Sequence, residues 1–227
     1  MLSRLAFVAA LASAATVAMA SDTSIGGVSM KLPVPTGFCE LSASNPADNH
    51  MITTIGGLVA KSGNKMLNRS ADCQQLADWR AHKRNFLDDY GQYQTPAGQI
   101  DQLVAAPQTM IKETCETLRK QGSQIVAQQA PDLKARIEET LKKVKMNEVS
   151  FIGVLAEDAN ACYAGQLQKL QTETGTEKTQ IVLIAAAVVK NKNIFVYRMT
   201  VYKGPDTATN LLATFKSTIA ALYAANK

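Results

Sequence analysis

Two long apolar runs separated by a short polar stretch occupy the last third of this chain. Residues 181–189 read IVLIAAAVV and residues 194–202 read IFVYRMTVY, with KNKN between them. In the second run Tyr197 and Met199 alternate with Arg198, which is the period-two pattern of a β-strand with one face in the core. Two such strands joined by a short asparagine-containing turn form an antiparallel hairpin. We therefore expect the chain to build an antiparallel sheet around this hairpin.

Further elements are predicted on both sides of the hairpin. Residues 148–155 and 162–170 indicate two more strands, while Gly204 and Pro205 end the hairpin and, with Asp206, begin a helix. The broad apolar face of that helix is formed by Leu211, Leu212, Phe215, Ile219 and Leu222. Successive strands followed by a helix are typical of a sheet with helices packed on it. The predicted fold class is α+β, an antiparallel sheet with packed helices.

The middle of the chain is predicted to be helical over residues 107–145. Pro107 opens a segment with an apolar stripe, and Pro131 should break it because proline lacks the N–H that a helix interior needs. Asp132 then fits the first turn of a second helix. The stripes are formed by Ile111, Cys115, Leu118 and Ile125 before the proline, and by Leu133, Ile137, Leu141 and Val144 after it. The pattern predicts a helical hairpin or two helices that cover one face of the sheet.

The segment that precedes this helical region begins with a proline-containing strand. Residues 28–41 read VSMKLPVPTGFCEL, and Pro33 and Pro35 place the strand at a sheet edge because proline cannot donate to a ladder. Asn45 is then the predicted cap of a helix with Pro46 at its first position.

The next stretch permits two interpretations. Residues 65–84 are predicted to start with a strand, but Ser70 could also cap a helix carrying Cys73, and the pattern leaves this open. Tyr90 and Tyr93 lie between turn residues and indicate a short strand or a loop.

The first twenty residues have the three parts of a secretory signal peptide. They read MLSRLAFVAALASAATVAMA, with one charge at Arg4, a short apolar core and small residues before a cleavage site at Ser21. An uncut membrane anchor is the alternative, but the apolar core is shorter than the ~20 residues that span a bilayer. Cleavage would leave residues 21–227 as a single domain, periplasmic or secreted. No second apolar segment of that domain is long enough to be a transmembrane helix.

Four cysteines lie in the predicted mature domain. They are Cys39, Cys73, Cys115 and Cys162. An even number of cysteines in an exported chain indicates two disulfides, and four cysteines allow three pairings that sequence cannot choose between. Pairing neighbours along the chain, Cys39 with Cys73 and Cys115 with Cys162, is the favoured arrangement. Metal binding is disfavoured, because there is no C-x-x-C pair and no clustered histidine.

The order of these elements resembles the PsbP-like α/β/α sandwich. The segments that carry the resemblance are LPVPTGFCEL near the start, IVLIAAAVVKNKNIFVYRMTVY in the hairpin and LLATFKSTIAAL in the terminal helix. The helical middle departs from that pattern and could be an insertion. The resemblance implies an α/β/α sandwich-like arrangement and an accessory or binding module of an exported or envelope assembly rather than an enzyme.

Few residues are available for catalysis. The chain has two histidines, His50 and His82, and contains no G-x-S-x-G, H-E-x-x-H, glycine-rich phosphate loop or nucleotide fingerprint. We therefore predict no cofactor, no metal and a non-enzymatic protein. A secreted hydrolase with an unrecognised site, with His82 as its base, is the alternative from another class.

One stretch combines aromatic and cationic side chains in the way that ligand sites do. Its candidate ligand-binding residues are Trp79, Arg80, His82, Arg84, Tyr90 and Tyr93. Cations beside aromatic rings can bind an anionic or saccharide ligand by charge and stacking. The competing interpretation is a partly buried tryptophan next to a solvated basic run.

The net charge of +5 narrows the choice of partners. Removing Arg4 with the signal peptide leaves a mildly basic protein, and export argues against nucleic acid. The basic helix after Pro131 could dock on anionic lipid, which gives a membrane-surface alternative through helices 107–145. Lys142 and Lys143 lie four residues after Glu138 and Glu139, so a solvated face is favoured. The favoured prediction is a periplasmic binding or accessory protein of the cell envelope, with an envelope protein or an anionic or saccharide ligand as its partner.

Overall fold

The computed structural model describes residues 20–142 and 144–227. The predicted signal peptide therefore lies outside the described residues except for Ala20, and it stays a prediction.

Strands and helices occupy most of the described chain. The strands are β1 (Ala20–Ile25), β2 (Val28–Pro33), β3 (Phe38–Glu40), β4 (Asn64–Asp72), β5 (Tyr90–Pro96), β6 (Val144–Glu157), β7 (Ala161–Thr172), β8 (Glu177–Val189) and β9 (Lys192–Val201). The helices are α1 (Pro46–Lys61), α2 (Cys73–Arg80), α3 (Pro107–Thr140) and α4 (Pro205–Ala225), with a 3₁₀ turn at Ala97–Gln99.

Seven strands form one antiparallel sheet in the order β3-β4-β5-β9-β8-β7-β6. Its centre contains the predicted hairpin, in which Val189 pairs with Lys192 across a two-residue loop. The two loop residues, Lys190 and Asn191, both have positive φ, 47° and 61°. Such a loop has the twist that matches paired strands. The hairpin prediction is confirmed.

One face of the sheet is covered by α4 and by the small β1–β2 hairpin. Phe215 and Ile219 of α4 are fully buried, and Ile25 and Leu32 of the hairpin belong to the same core as the inward residues of β8 and β9. The predicted apolar face of the terminal helix is therefore confirmed.

The opposite face is covered by α3 and α1. Ile111 and Cys115 of α3 pack on Ala186 and Val188 of β8. With helices on both faces, the sheet is the middle layer of an α/β/α arrangement. The predicted α+β class, an antiparallel sheet with packed helices, is confirmed.

The predicted helical hairpin at Pro131 is wrong, because α3 runs unbroken over 34 residues with this proline inside it. The predicted helical end at residue 145 is also wrong, since α3 ends at Thr140 and Val144 already begins β6, where it pairs with Thr172. An internal proline removes one hydrogen bond and costs roughly 3 kcal/mol. Burial of α3 side chains on both sides of Pro131 offsets that cost, since Ile111 lies in one buried apolar cluster and Ile137 in another. Gly122 allows the close approach, because a Cβ there would lie 2.3 Å from the Phe151 ring.

The proline-rich entry region forms two strands rather than one. β2 pairs with β1, whereas β3 pairs with β4 at the edge of the main sheet. Pro33 ends β2, and Pro35 lies between the two strands, where no ladder hydrogen bond is needed.

The structure resolves the ambiguous stretch as strand followed by helix. Ser70 lies inside β4, and α2 is capped by Asp72, whose Oδ1 accepts a hydrogen bond of 2.9 Å from the Gln75 N–H. Upstream, Asn45 caps α1 and Pro46 is its first residue, as predicted. Tyr90 begins β5, so the segment is a strand and not a loop.

Two disulfides join neighbouring cysteines, as the favoured pairing predicted. Cys39–Cys73 connects β3 to α2, and Cys115–Cys162 connects α3 to β7. Disulfides persist in oxidising compartments, so they suggest a non-reducing environment for this protein. Among the residues that the structure describes, no helix has both the length and the apolar character needed to cross a bilayer.

Candidate ligand-binding site

A cleft lies between α1 and the C-terminal half of α3, with the sheet as its floor. It consists of two adjoining cavities, which we call the apolar pocket, of about 230 Å³, and the glutamine groove, of about 560 Å³. Both cavities are lined by Arg69, Tyr90 and Gln180 from the sheet and by Leu141 from the end of α3. The two are therefore parts of one site.

The apolar pocket is lined mainly by apolar side chains. They are Met51, Ile55, Trp79, Phe86, Leu87, Val144, Leu170 and Val201. Polar groups contribute at a few points, including His50, Asn85, Asp88 and Lys178. The Lys178 ammonium lies 2.8 Å from an Asp88 carboxylate oxygen and 5.7 Å from the centre of the Phe86 ring. The pocket thus combines an apolar interior with a few paired charges.

The glutamine groove has a polar lining that contains six glutamine side chains. They are Gln92 and Gln94 of β5, Gln129 of α3, Gln166 and Gln168 of β7, and Gln180 of β8. The sheet register brings the strand residues together, since Gln168 pairs directly with Gln180 across β7 and β8. Each glutamine amide has two N–H donors and one carbonyl oxygen that accepts. This floor can therefore hydrogen-bond a ligand that alternates donors and acceptors.

Arg69 is the most unusual residue of the cleft. Only 7% of it is exposed, its Nη1 donates to the Gln92 Oε1 at 2.8 Å, and its guanidinium carbon lies 4.6 Å from the centre of the Tyr90 ring. The buried Nε has no hydrogen-bond partner, and no carboxylate among the described residues forms an ion pair with this arginine. Burial lowers the pKa of Arg69 from its usual value. The cleft therefore contains a buried cation that has no counter-ion among the residues the structure describes.

Two tyrosines keep the lining neutral and polar. The Tyr90 hydroxyl donates to Gln180 Oε1 at 3.1 Å, and burial raises its pKa, although the nearby Arg69 charge opposes that shift. Burial also raises the pKa of Tyr197, which lies beside Gln92 in the register, to about 12. Both phenols stay protonated at neutral pH and can take part in hydrogen bonds as neutral groups.

The structure places two of the six sequence-predicted ligand residues in the cleft. Trp79 and Tyr90 line the apolar pocket. Tyr93 lies on the opposite face of the sheet, where its hydroxyl donates to the Pro33 carbonyl at 2.7 Å. That position follows from the strand period, because Tyr90 and Tyr93 are separated by an odd number of residues.

The other three residues of the predicted set, two arginines and a histidine, lie outside both cavities. Arg80 donates from Nε to the fully buried Asp48 carboxylate at 3.1 Å and so connects α2 to α1. Arg84 pairs with Asp88 at 2.8 Å. His82 is exposed at the end of α2 with a φ of 56°. The sequence placed aromatic and charged residues in one site, but the fold separates them.

Arg69 and the glutamines were missed at the sequence level. A signal was present, because Gln-x-Gln occurs twice in strand segments, at Gln92–Gln94 and at Gln166–Gln168. Alternate positions of a strand lie on one face, so each pair predicts a polar patch on one side of the sheet. Arg69 carried no comparable signal.

The basic part of α3 is largely occupied by contacts within the chain. Lys134 donates to the Asn147 carbonyl at 2.7 Å, and Arg136 donates to the Ser62 hydroxyl at 2.7 Å. Glu139 pairs with Lys61 of α1 at 2.7 Å. Lys143 lies outside the described residues, so its predicted pairing with Glu139 stays a prediction. Across residues 20–142 and 144–227, no cluster of three His, Cys, Asp or Glu side chains could hold a metal ion.

The fold and the cleft together describe a disulfide-linked α/β/α protein with a ligand-sized site on its sheet. No family model matches the chain, and no curated protein matches it. Among solved structures, it is similar to the Ran-binding protein Mog1p of Saccharomyces cerevisiae, with a TM-score of 0.32, 9% identity and coverage of 92% of this chain and 95% of that one. A mutant of protein Mog1 gives a TM-score of 0.31 at 9% identity, covering 91% and 94%. These likenesses carry no argument about function.

Proposed function

We propose that this chain is an exported, non-enzymatic binding protein of the cell envelope, and that the cleft between α1 and α3 holds its ligand. The single observation that carries the proposal is Arg69, a buried cation without a carboxylate partner at the wall that both cavities share. The layered arrangement of helices on both faces of the sheet supports the proposed resemblance to the PsbP-like sandwich.

The burial of Arg69 has a free-energy cost that a ligand could offset. A buried charge is expensive unless it is paired and hydrogen-bonded, and buried charges in proteins are accordingly paired or bound to ions. The partners of Arg69 are neutral groups, since its Nη1 donates to the Gln92 amide oxygen and its guanidinium interacts with the ring and the hydroxyl of Tyr90. An anionic group of a ligand would supply the missing counter-charge. The size of the glutamine groove, about 560 Å³, falls in the range of small-molecule sites.

Ligand binding can be tested by thermal unfolding with a panel of anionic and neutral compounds. A ligand at 100 times its Kd stabilises the native state by about 2.7 kcal/mol. For a chain of this size that corresponds to a rise in Tm of roughly 5–10 °C. We expect anionic members to raise the Tm of the wild type and to lose this effect in Arg69→Gln.

The matched control is Arg119→Gln, because Arg119 lies on the surface of α3 and pairs with Glu157 at 2.8 Å, outside both cavities. This variant should respond to anionic compounds as the wild type does. The proposal is wrong if no compound stabilises the protein, or if Arg69→Gln and Arg119→Gln respond equally.

The proposed export is tested independently of ligand binding. The signal-like pattern of residues 1–20 and the two disulfides support a location outside the cytoplasm. Expression of the full chain in a bacterial host should give a periplasmic product that begins at Ser21 and has no free thiol. An uncut cytoplasmic product with four free thiols would contradict export.

A further inference from the structure

We propose that the ligand of the cleft is the free C-terminal end of a peptide chain whose last residue is apolar. The carboxylate would bind at Arg69, the last side chain would enter the apolar pocket, and the preceding peptide groups would follow the glutamine groove. This inference rests on the proposed function, because it names the ligand class of the same cleft.

The Arg69 cation lies where the apolar pocket meets the glutamine groove. Arg69 and Tyr90 line both cavities, so a group bound at the guanidinium lies at the junction between them. A carboxylate is the planar anion whose two oxygens match the guanidinium geometry. The ligand must therefore carry an apolar group on one side of its carboxylate and a polar chain on the other. A C-terminal residue has this arrangement, since one carbon bears the carboxylate, the side chain and the peptide nitrogen.

The apolar pocket has a size and a lining that suit an apolar side chain. Trp79, Phe86, Leu87 and Leu170 contribute to its walls, and its volume of about 230 Å³ suits one large side chain. Burying an apolar side chain against these walls is favourable, because it removes apolar surface from water. A sugar ring would place most of its hydroxyl groups against these apolar walls, where few polar partners are available, which is costly. An apolar side chain is the better match.

The glutamine groove offers hydrogen-bonding groups that match a peptide backbone. Peptide groups present one N–H and one C=O each, and glutamine amides can satisfy both. Gln166 and Gln168 of β7 face the same groove as Gln180 of β8, so several amides are offered to one extended segment. A fatty acid could place its carboxylate at Arg69, but its chain would leave these amides unpaired. The polar groove therefore favours a peptide over a simple apolar acid.

Trp79 supplies a direct measurement, because it is the one tryptophan of the chain and lines the apolar pocket. We would titrate the disulfide-bonded mature protein with acetyl-Ala-Gln-Ala-Leu as the free acid and follow tryptophan emission. The same peptide with a C-terminal amide, octanoate and a short oligo-glucuronate are the comparison ligands. We expect a saturable change with the free acid, at least tenfold weaker binding of the amide, and weaker binding of both other acids.

Arg69→Gln should remove the preference for the free acid over the amide, whereas Arg119→Gln should retain it. The comparison of acid and amide in the wild type keeps the test valid if Arg69→Gln does not fold. Equal binding of acid and amide, or no binding of the free acid below about 1 mM, would overturn the inference. Tighter binding of octanoate or oligo-glucuronate would also overturn it but leave the proposed function standing. If none of the anionic compounds in the earlier panel binds either, the proposed function fails as well.

Discussion

The two faces of the sheet are built from the same strands but differ in how many polar side chains they carry. On the α4 face, Ile181 and Leu183 of β8 are fully buried in an apolar core. On the α1–α3 face, Gln180 of the same strand lines the cleft, as do Gln166 and Gln168 of β7. Because successive residues of a strand point to opposite sides, one strand can carry both patterns. The α4 face is therefore packed as an apolar core, whereas the opposite face combines an apolar core under α3 with the proposed binding cleft.

The largest effect is expected from a large-to-small change on the α4 face. Phe215 is completely buried, and its ring lies 5.9 Å from the Tyr163 ring in an edge-to-face arrangement. Phe215→Ala should lower the free energy of unfolding by about 3–5 kcal/mol, because it removes buried apolar surface and leaves a cavity. Denaturant unfolding of the oxidised protein measures this. The matched change on the cleft face, Gln168→Ala, should cost less than about 1 kcal/mol. Similar losses for the two variants would refute the division between the faces.

The two disulfides differ in burial and in the length of chain that they enclose. Cys115–Cys162 lies in the core under α3 and closes a loop of 47 residues, whereas Cys39–Cys73 lies at the sheet edge and closes one of 34. Replacing either pair with alanine should cost about 2–4 kcal/mol from loop closure. The loss should be larger for the buried pair because its removal also leaves a cavity. Chemical denaturation of each double variant measures both losses. The expectation fails if the edge pair contributes more.

The ion pair between α1 and α2 should give a smaller effect. Asp48 is fully buried and accepts hydrogen bonds from Arg80 and from the Ser42 N–H. Asp48→Ala should therefore lower the free energy of unfolding by about 1.5–3 kcal/mol, since it leaves those donors without their charged partner. Arg80→Gln is the companion variant, and because it leaves the fully buried Asp48 carboxylate without its cation, its loss should be the larger of the two. Thermal and denaturant unfolding should show the greater loss for Arg80→Gln.

The smallest change in stability is expected at the cleft itself. Arg69→Met removes an unpaired buried charge and keeps a long apolar side chain over Tyr90, so the free energy of unfolding should stay within about 1 kcal/mol of the wild type or rise. The same variant should lose stabilisation by anionic ligands. A destabilisation of the size expected for Phe215→Ala would show that Arg69 supports the fold rather than a ligand.

Local patterns in the sequence predicted most of the elements correctly. The alternation around Arg198 predicted β9, the turn residues Lys190 and Asn191 predicted the hairpin, and Asn45 predicted the start of α1. These features depend on neighbours within a few residues, so they can be recognised without knowing the rest of the chain. The break predicted at Pro131 was wrong because packing on the sheet, which local pattern does not show, keeps α3 continuous.

The sequence by itself determined most of the secondary-structure elements, the fold class and a set of four cysteines that could pair. Only the tertiary structure decided that Arg69 lies buried at a wall shared by two cavities and that Arg80 is engaged by Asp48. It also placed Tyr93 on the face opposite Tyr90. The physical reason is that periodicity depends on adjacent residues, whereas the environment of a charge depends on which distant strands and helices surround it.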